Sequence, residues 1–360
     1  MKINQVDLYR SYTKHKGSID NAIQNCINDS AFINGEYVER FENEWAKYTN
    51  SEACAGVGSG TDALHLSLLV LGIGPGDEVI LPSLTFFATA EAVSQVGATP
   101  IFVDVNDNYL IEVSTLEYCI TGRTKAIITV DLYGQTSDNK EIAKLCKLHN
   151  LFFIQDCAHS AGTMYNGDSV SKYSDLACWS FYPGKNLDCF GDGGAVTGNS
   201  KLVEKVKYLK DHARTEKYIH TGIGWNSRLD GIQAAVLLEK LKWLEDDNTT
   251  RRYTAAVYDN ELLGLPITLP TENIHSRHVY HQYVILTDER DNLLKYMQSK
   301  DIMMGIHYPV PCHKQPIYDN GQTLYCSERI TETCISVPIH PNLTKDEINK
   351  IIVELKNYFN

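Results

Sequence analysis

Short apolar runs alternate with helix-like stretches across residues 53–181, and few folds accept that pattern. The runs at 53–58, 78–81, 100–105, 124–132, 151–155 and 175–181 have the length and composition of strands. Between them, 61–71, 86–96 and 138–149 read as helices, and Gly72-Ile73-Gly74-Pro75-Gly76-Asp77 reads as a turn. Strands alternating with helices predict an α/β fold with a mostly parallel sheet covered on both faces. Residues 16–48, upstream, read as helical with a break near Asn34-Gly35.

Past Gly191-Asp192-Gly193-Gly194 the chain turns into Ala195-Val196-Thr197, and helices are expected from 202 to about 252, with 229–244 amphipathic. After Leu263-Gly264-Leu265-Pro266 the pattern changes again. Strands are expected at 278–286 and 302–307, and helices at 291–300 and 345–358. A chain of 360 residues suits a large unit, placed at 1–249, plus a smaller α+β unit at 250–360.

Charge and composition narrow the class of function. Net charge is −12 with no basic run, which argues against nucleic acid as a partner. The longest hydrophobic run, 64–72, is broken by His65 and Ser67 and falls well short of the roughly 20 residues of a membrane span. Met1-Lys2-Ile3-Asn4-Gln5-Val6-Asp7 has no apolar core of a signal peptide. The ten cysteines show no CxxC pairing, so no metal site is expected. Several lie in apolar runs, as buried thiols of a cytoplasmic protein would.

Three segments carry the chemistry. In Gly58-Ser59-Gly60-Thr61-Asp62-Ala63-Leu64 a strand ends in small residues and a helix begins. Free amides and the dipole at such a junction suit a phosphate, although Ser59 or Thr61 could simply cap the helix. In Ile154-Gln155-Asp156-Cys157-Ala158-His159 an aspartate ends a strand, where it could be no more than a turn cap, and His159 alone could be structural. In Ser180-Phe181-Tyr182-Pro183-Gly184-Lys185-Asn186-Leu187 a Pro-Gly turn presents Lys185, and Ser180 could donate to a phosphate. A lysine that can form a Schiff base and an aspartate that can hold a pyridinium proton are what pyridoxal phosphate (PLP) needs from a protein. Phosphate cup, aspartate and lysine follow in order, each at the C-terminal end of an expected strand, the edge where open α/β sheets bind ligands.

Taken together, these segments resemble the DegT/DnrJ/EryC1 family of PLP-dependent nucleotide-sugar aminotransferases. So do Leu71-Gly72-Ile73-Gly74-Pro75-Gly76-Asp77-Glu78-Val79, Gly191-Asp192-Gly193-Gly194 and Gly224-Trp225-Asn226-Ser227-Arg228-Leu229-Asp230. The resemblance covers nearly the whole chain. It implies the fold-type I architecture, with a large mostly parallel sheet domain and a smaller α+β C-terminal domain. It also implies that Lys185 carries the Schiff base and Asp156 pairs with the pyridine nitrogen. Gly60, Thr61 and Ser180 would bind the phosphate, Phe86 would stack on the ring, and His159 would lie near the ring hydroxyl. Asn226 would reach the cofactor of a neighbouring subunit, making a homodimer with shared active sites. Some members are dehydratases with histidine in place of the lysine, so Lys185 favours amination, with L-glutamate as donor.

Gly305-Ile306-His307-Tyr308-Pro309-Val310-Pro311-Cys312-His313 resembles a loop of members that aminate position 3 of dTDP- or UDP-linked keto sugars, which points to amino-sugar and polysaccharide biosynthesis. His307, Tyr308 and His313 are therefore expected at the substrate. The alternatives are a 4-keto sugar, a free cyclitol ketone, or a regulatory protein that has kept the fold without the chemistry. Intact Lys185 and Asp156 argue against the last.

Overall fold

The computed structural model describes residues 2–359. A seven-stranded sheet forms its centre, in the order Ala53–Val57, Gly194–Gly198, Leu176–Ser180, Phe152–Asp156, Thr124–Val130, Glu78–Pro82, Thr99–Val103. All neighbouring pairs are parallel except the two made by Gly194–Gly198, which runs against both Ala53–Val57 and Leu176–Ser180. The mostly parallel α/β expectation holds, with this one reversed strand inserted.

Successive side chains of a strand face opposite sides of the sheet, so a strand covered on both sides needs apolar residues at nearly every position. Leu176 and Cys178 join the core under helix Gly60–Val70, with Val57, Leu81, Ile128, Ile154 and Val196. Ala177 and Trp179 join the opposite core, with Phe41, Trp45, Phe181 and Leu229. Trp45 and Trp179 meet edge to face at 5.1 Å. The runs looked continuous in the sequence because both faces are dry.

The two sheet edges are closed differently. At the Ala53–Val57 edge, Gly56 donates its amide to Glu42 Oε1 at 2.7 Å, and Lys210 Nζ donates to Glu42 Oε1 at 2.9 Å and to the Gly56 carbonyl at 2.6 Å. At the other edge, Gln322 Nε2 donates to the Phe102 carbonyl at 3.1 Å. The contacts to the Gly56 amide, the Gly56 carbonyl and the Phe102 carbonyl occupy backbone groups that an open edge would offer to another strand.

The helices expected from 202 to 252 are interrupted. Ser200–Lys210 ends before a small hairpin, Arg214–Glu216 with Ile219–His220. The amphipathic segment is the helix Gly231–Leu241, and a separate helix, Leu244–Glu261, runs through residue 250. Its later residues Ala255 and Tyr258 pack with Tyr283, Ile285, Met297, Ile335, Val337 and Ile351, and Ile3 joins the same core. The strand expected at 278–286 shortens to Tyr283–Leu286 and pairs antiparallel with Cys334–Val337. The 302–307 stretch forms no strand. It is held by single bridges, Ile302 to Ile3 and Gly305 to Ser336, and carries a cis peptide at His307-Tyr308. Helix Tyr325–Thr333 was not expected. All ten cysteines are free thiols, eight of them buried. Among the described residues no helix is long and apolar enough to cross a membrane.

Candidate active site

A cavity of about 540 Å³ opens at the C-terminal edge of the parallel strands. Gly60 and Thr61, Phe86, Asp156, His159, Ser180, Lys185, His307 and Tyr308 all line it. Nine side chains or backbone segments singled out along 249 positions of sequence thus come together in one place.

The floor is built from helix Gly60–Val70. Ser59 caps it, accepting from the Asp62 amide at 3.0 Å. The amides of Gly60 and Thr61, in the first turn, have no intrahelical acceptor and face the cavity end of the helix. A Cβ on Gly60 would sit 2.7 Å from the Cβ of Ser180, and one on Gly194 would sit 2.4 Å from the Ser59 carbonyl. Glycine at both positions lets the helix start press against the ends of two strands. Capping and anion binding are therefore both available here, because the cap uses the Asp62 amide and leaves the earlier ones.

Asp156 ends strand Phe152–Asp156. Its Oδ1 accepts from the Ala158 amide at 3.1 Å, and its Oδ2 from Thr89 Oγ1 at 2.9 Å. Thr89 is itself placed by Thr85, hydroxyl to hydroxyl at 2.8 Å. Burial raises the Asp156 carboxyl, while the Ala158 amide, the Thr89 hydroxyl and the Lys185 charge act in the opposite direction. Lys185 lies deep in the concavity, with part of its surface open to the cavity. Desolvation brings its ammonium down to about 8, with the charge of Asp156 opposing. Such a lysine is largely neutral just above pH 8, as a Schiff-base amine must be.

His159, His281 and His307 surround the lysine. Burial lowers all three well below the ordinary imidazole value, His307 to about 4, and the positive charge of Lys185 adds to this. The Tyr133 amide donates to His159 Nδ1 at 3.2 Å, and the Tyr133 hydroxyl donates to the His307 carbonyl. His307 Nδ1 bonds Ser336 Oγ at 2.8 Å. Phe86 is 57% exposed, with its ring 5.6 Å from that of Tyr308, so an aromatic face is free within the cavity.

The family model of DegT/DnrJ/EryC1/StrS aminotransferases matches residues 13–356. The chain belongs to that family. A UDP-N-acetyl-3-dehydro-alpha-D-glucosamine 3-aminotransferase of Acidithiobacillus ferrooxidans is 39% identical, over 98% of this chain and 97% of the relative. A dTDP-3-amino-3,6-dideoxy-alpha-D-galactopyranose transaminase of Aneurinibacillus thermoaerophilus is 40% identical over 98% of both. A crystal structure of S. venezuelae DesV in complex with a ketimine intermediate superposes with a TM-score of 0.97 at 37% identity, over 100% of this chain and 99% of DesV. The protein is a PLP-dependent aminotransferase of fold-type I. The donor set fits the cofactor: a lysine whose ammonium is lowered by burial, a carboxyl fixed by two donors, free helix-start amides and an open aromatic face.

Two expected site residues of this family member stand elsewhere. His313 does not line the cavity. Its ring is buried, with Nδ1 bonded to Ser83 and Nε2 to Glu328 Oε1 at 2.9 Å, which makes it a strut beneath the wall. Asn226 is exposed and outside the cavity of its own chain. Its segment is fixed next to the helix start: Ser227 Oγ accepts from the Gly58 amide at 3.1 Å and donates to Asp62 Oδ2 at 2.8 Å. The cavity also contains Val6, Thr89, Tyr182, Asp192, His281 and Gln282, to none of which the sequence assigned a role in the site. The side chains of Gln5 and Gln282 meet at 3.0 Å, which holds the N-terminal segment where Val6 lines the site.

Proposed function

We propose that this aminotransferase moves an amino group from L-glutamate to C3 of a dTDP- or UDP-linked 3-keto hexose. The full-length match to relatives named as 3-aminotransferases or 3-amino-sugar transaminases, on a chain that keeps Lys185 and Asp156 in one cavity, carries this reading. PLP supplies an electrophilic aldehyde and a ring that withdraws electrons from a bond at the substrate carbon.

The chain's own residues do the rest. Lys185 Nζ is the amine that would hold the cofactor's aldehyde, and as a base it would carry one proton in each half-reaction, away from the donor's α-carbon in the first and onto the sugar carbon in the second. Asp156, oriented by Thr89 and Ala158, is the carboxyl that would hold a proton on the ring nitrogen. Gly60, Thr61 and Ser180 would hold the phosphate at the helix start, Phe86 would cover the ring face, and His159 would donate to the ring hydroxyl. His307 and Tyr308 border the sugar. Asn226, exposed beside its own helix start, reaches the cofactor phosphate of a second copy in a homodimer. In this reading residues 1–249 bind the cofactor and 250–360 bear the sugar wall, and the ten free thiols fit a cytoplasmic setting.

The test is a steady-state panel of keto sugars with glutamate, read by mass spectrometry. Amination of a nucleotide-linked 3-keto hexose is the expected result. Amination only of 4-keto nucleotide sugars, or only of free cyclitol ketones, would overturn it.

A further inference from the structure

We propose that His281 positions the keto sugar by accepting, at Nε2, a hydrogen bond from an O–H or N–H group carried next to the reacting ketone. The inference rests on the nucleotide-sugar reading above and goes beyond it by assigning a residue and the substrate feature it reads.

The tautomer follows from a chain of amides. Asn248 Nδ2 donates to the Ala161 carbonyl at 2.9 Å. Asn186 Nδ2 donates to Asn248 Oδ1 at 2.7 Å and to the Val279 carbonyl at 3.3 Å. That fixes Asn186 Oδ1 as the group facing His281 Nδ1, 3.0 Å away, so Nδ1 carries the proton. Burial among Lys185, Arg251, His159 and His307 keeps the ring neutral. Its Nε2 is then a bare lone pair on a cavity-lining side chain. His159 has the opposite arrangement: its Nδ1 accepts from the Tyr133 amide, so its Nε2 carries the proton. The two rings lie 4.3 Å apart with a 39° tilt, closer to stacked than to in line, and no hydrogen bond joins them among the described residues. The wall therefore presents one donor, at His159, and one acceptor, at His281.

Geometry then selects the ligand group. The reacting carbon must come within proton-transfer reach of Lys185, and Asn186, the next residue, holds His281. The group that meets Nε2 therefore sits on a carbon close to the ketone. Glutamate carries no hydroxyl there, and its amine is consumed in the reaction. A sugar carries a hydroxyl or an acetamido N–H at that position.

The two half-reactions of the holoenzyme separate the effects, each followed by cofactor absorbance. In H281N the side chain can still donate to Asn186 but has no acceptor at the Nε2 position, whereas in H281Q an amide oxygen lies near it. The glutamate half-reaction of H281N should stay within about twofold of the parent. Its sugar half-reaction should lose at least roughly tenfold in kcat/KM, mainly through KM, with partial recovery in H281Q. Substrates lacking the donor group at C2 or at C4 should be discriminated by the parent, and one of the two should no longer be discriminated by H281N. Equal losses in both half-reactions, or unchanged discrimination in H281N, would overturn the assignment alone. A parent that runs the glutamate half-reaction but aminates no nucleotide-linked keto sugar would overturn the underlying reading as well.

Discussion

Lys185 and Asp156 bring opposite demands to one cavity. The amine must be neutral to attack an aldehyde, and the carboxyl must be ionised to hold a ring proton. Burial serves the first and works against the second, and the Ala158 amide, the Thr89 hydroxyl and the Lys185 charge oppose that rise without cancelling it. With Lys185 at about 8, the rate at which apoprotein recaptures PLP should rise between about pH 7 and 9 and then level off. An ordinary lysine near 10.4 would still be gaining at about pH 10. Stopped-flow absorbance of the Schiff base distinguishes the two. Lys185→Ala should retain the cofactor through the helix-start amides and lose turnover, so normal turnover would remove the lysine from the chemistry. Asp156→Asn should bind PLP and lose more than tenfold in kcat, or roughly 1.4 kcal/mol of barrier, and a smaller loss would leave it a turn cap. These residues were legible because each stands at a strand end in the order the chemistry needs. Thr89 and His281 were not, since their partners Asp156 and Asn186 lie 67 and 95 positions away and no local pattern marks such pairings. His313 shows the converse: an imidazole in a suggestive loop whose ring faces Ser83 and Glu328 rather than the cavity.

At the scale of elements, the strand Ala53–Val57 feeds the helix start that cradles the phosphate, and it is an edge strand with one neighbour. Glu42 and Lys210, both buried, clamp it at Gly56. Lys210→Met should leave Glu42 with Lys207 at 3.3 Å and the Gly56 amide as partners but strip the donor from the Gly56 carbonyl, costing about 1–3 kcal/mol in denaturant unfolding. A change below about 1 kcal/mol would show the clamp to be dispensable. The sheet strands were readable because both faces are mostly apolar, which leaves near-continuous runs such as Ala126 to Val130, broken only by Thr129. The reversal of Gly194–Gly198 was not, because strand direction depends on the connection back to Ser180 rather than on composition. The 302–307 stretch had strand-like residues, but its partners offer single bridges instead of a ladder. Cys334–Val337, short and polar at Ser336, gave too little periodicity to stand out.

For the whole molecule, the open question is whether one chain completes its own site. Asn226 is exposed, outside its own cavity, on a segment pinned to the helix start through Ser227 and Asp62. Mixing Lys185→Ala chains with Asn226→Ala chains should restore about a quarter of wild-type activity, since half the dimers are mixed and each mixed dimer regains one intact site. No recovery would make Asn226 a local structural residue. Delivery of nitrogen to C3 of a nucleotide-linked sugar is read out with ¹⁵N-labelled glutamate and a dTDP- or UDP-linked 3-keto hexose, followed by NMR of the product. In the parent ¹⁵N is expected on C3, and in Lys185→Ala no label transfer is expected. Label at C4, or label transfer that survives loss of Lys185, would contradict these expectations.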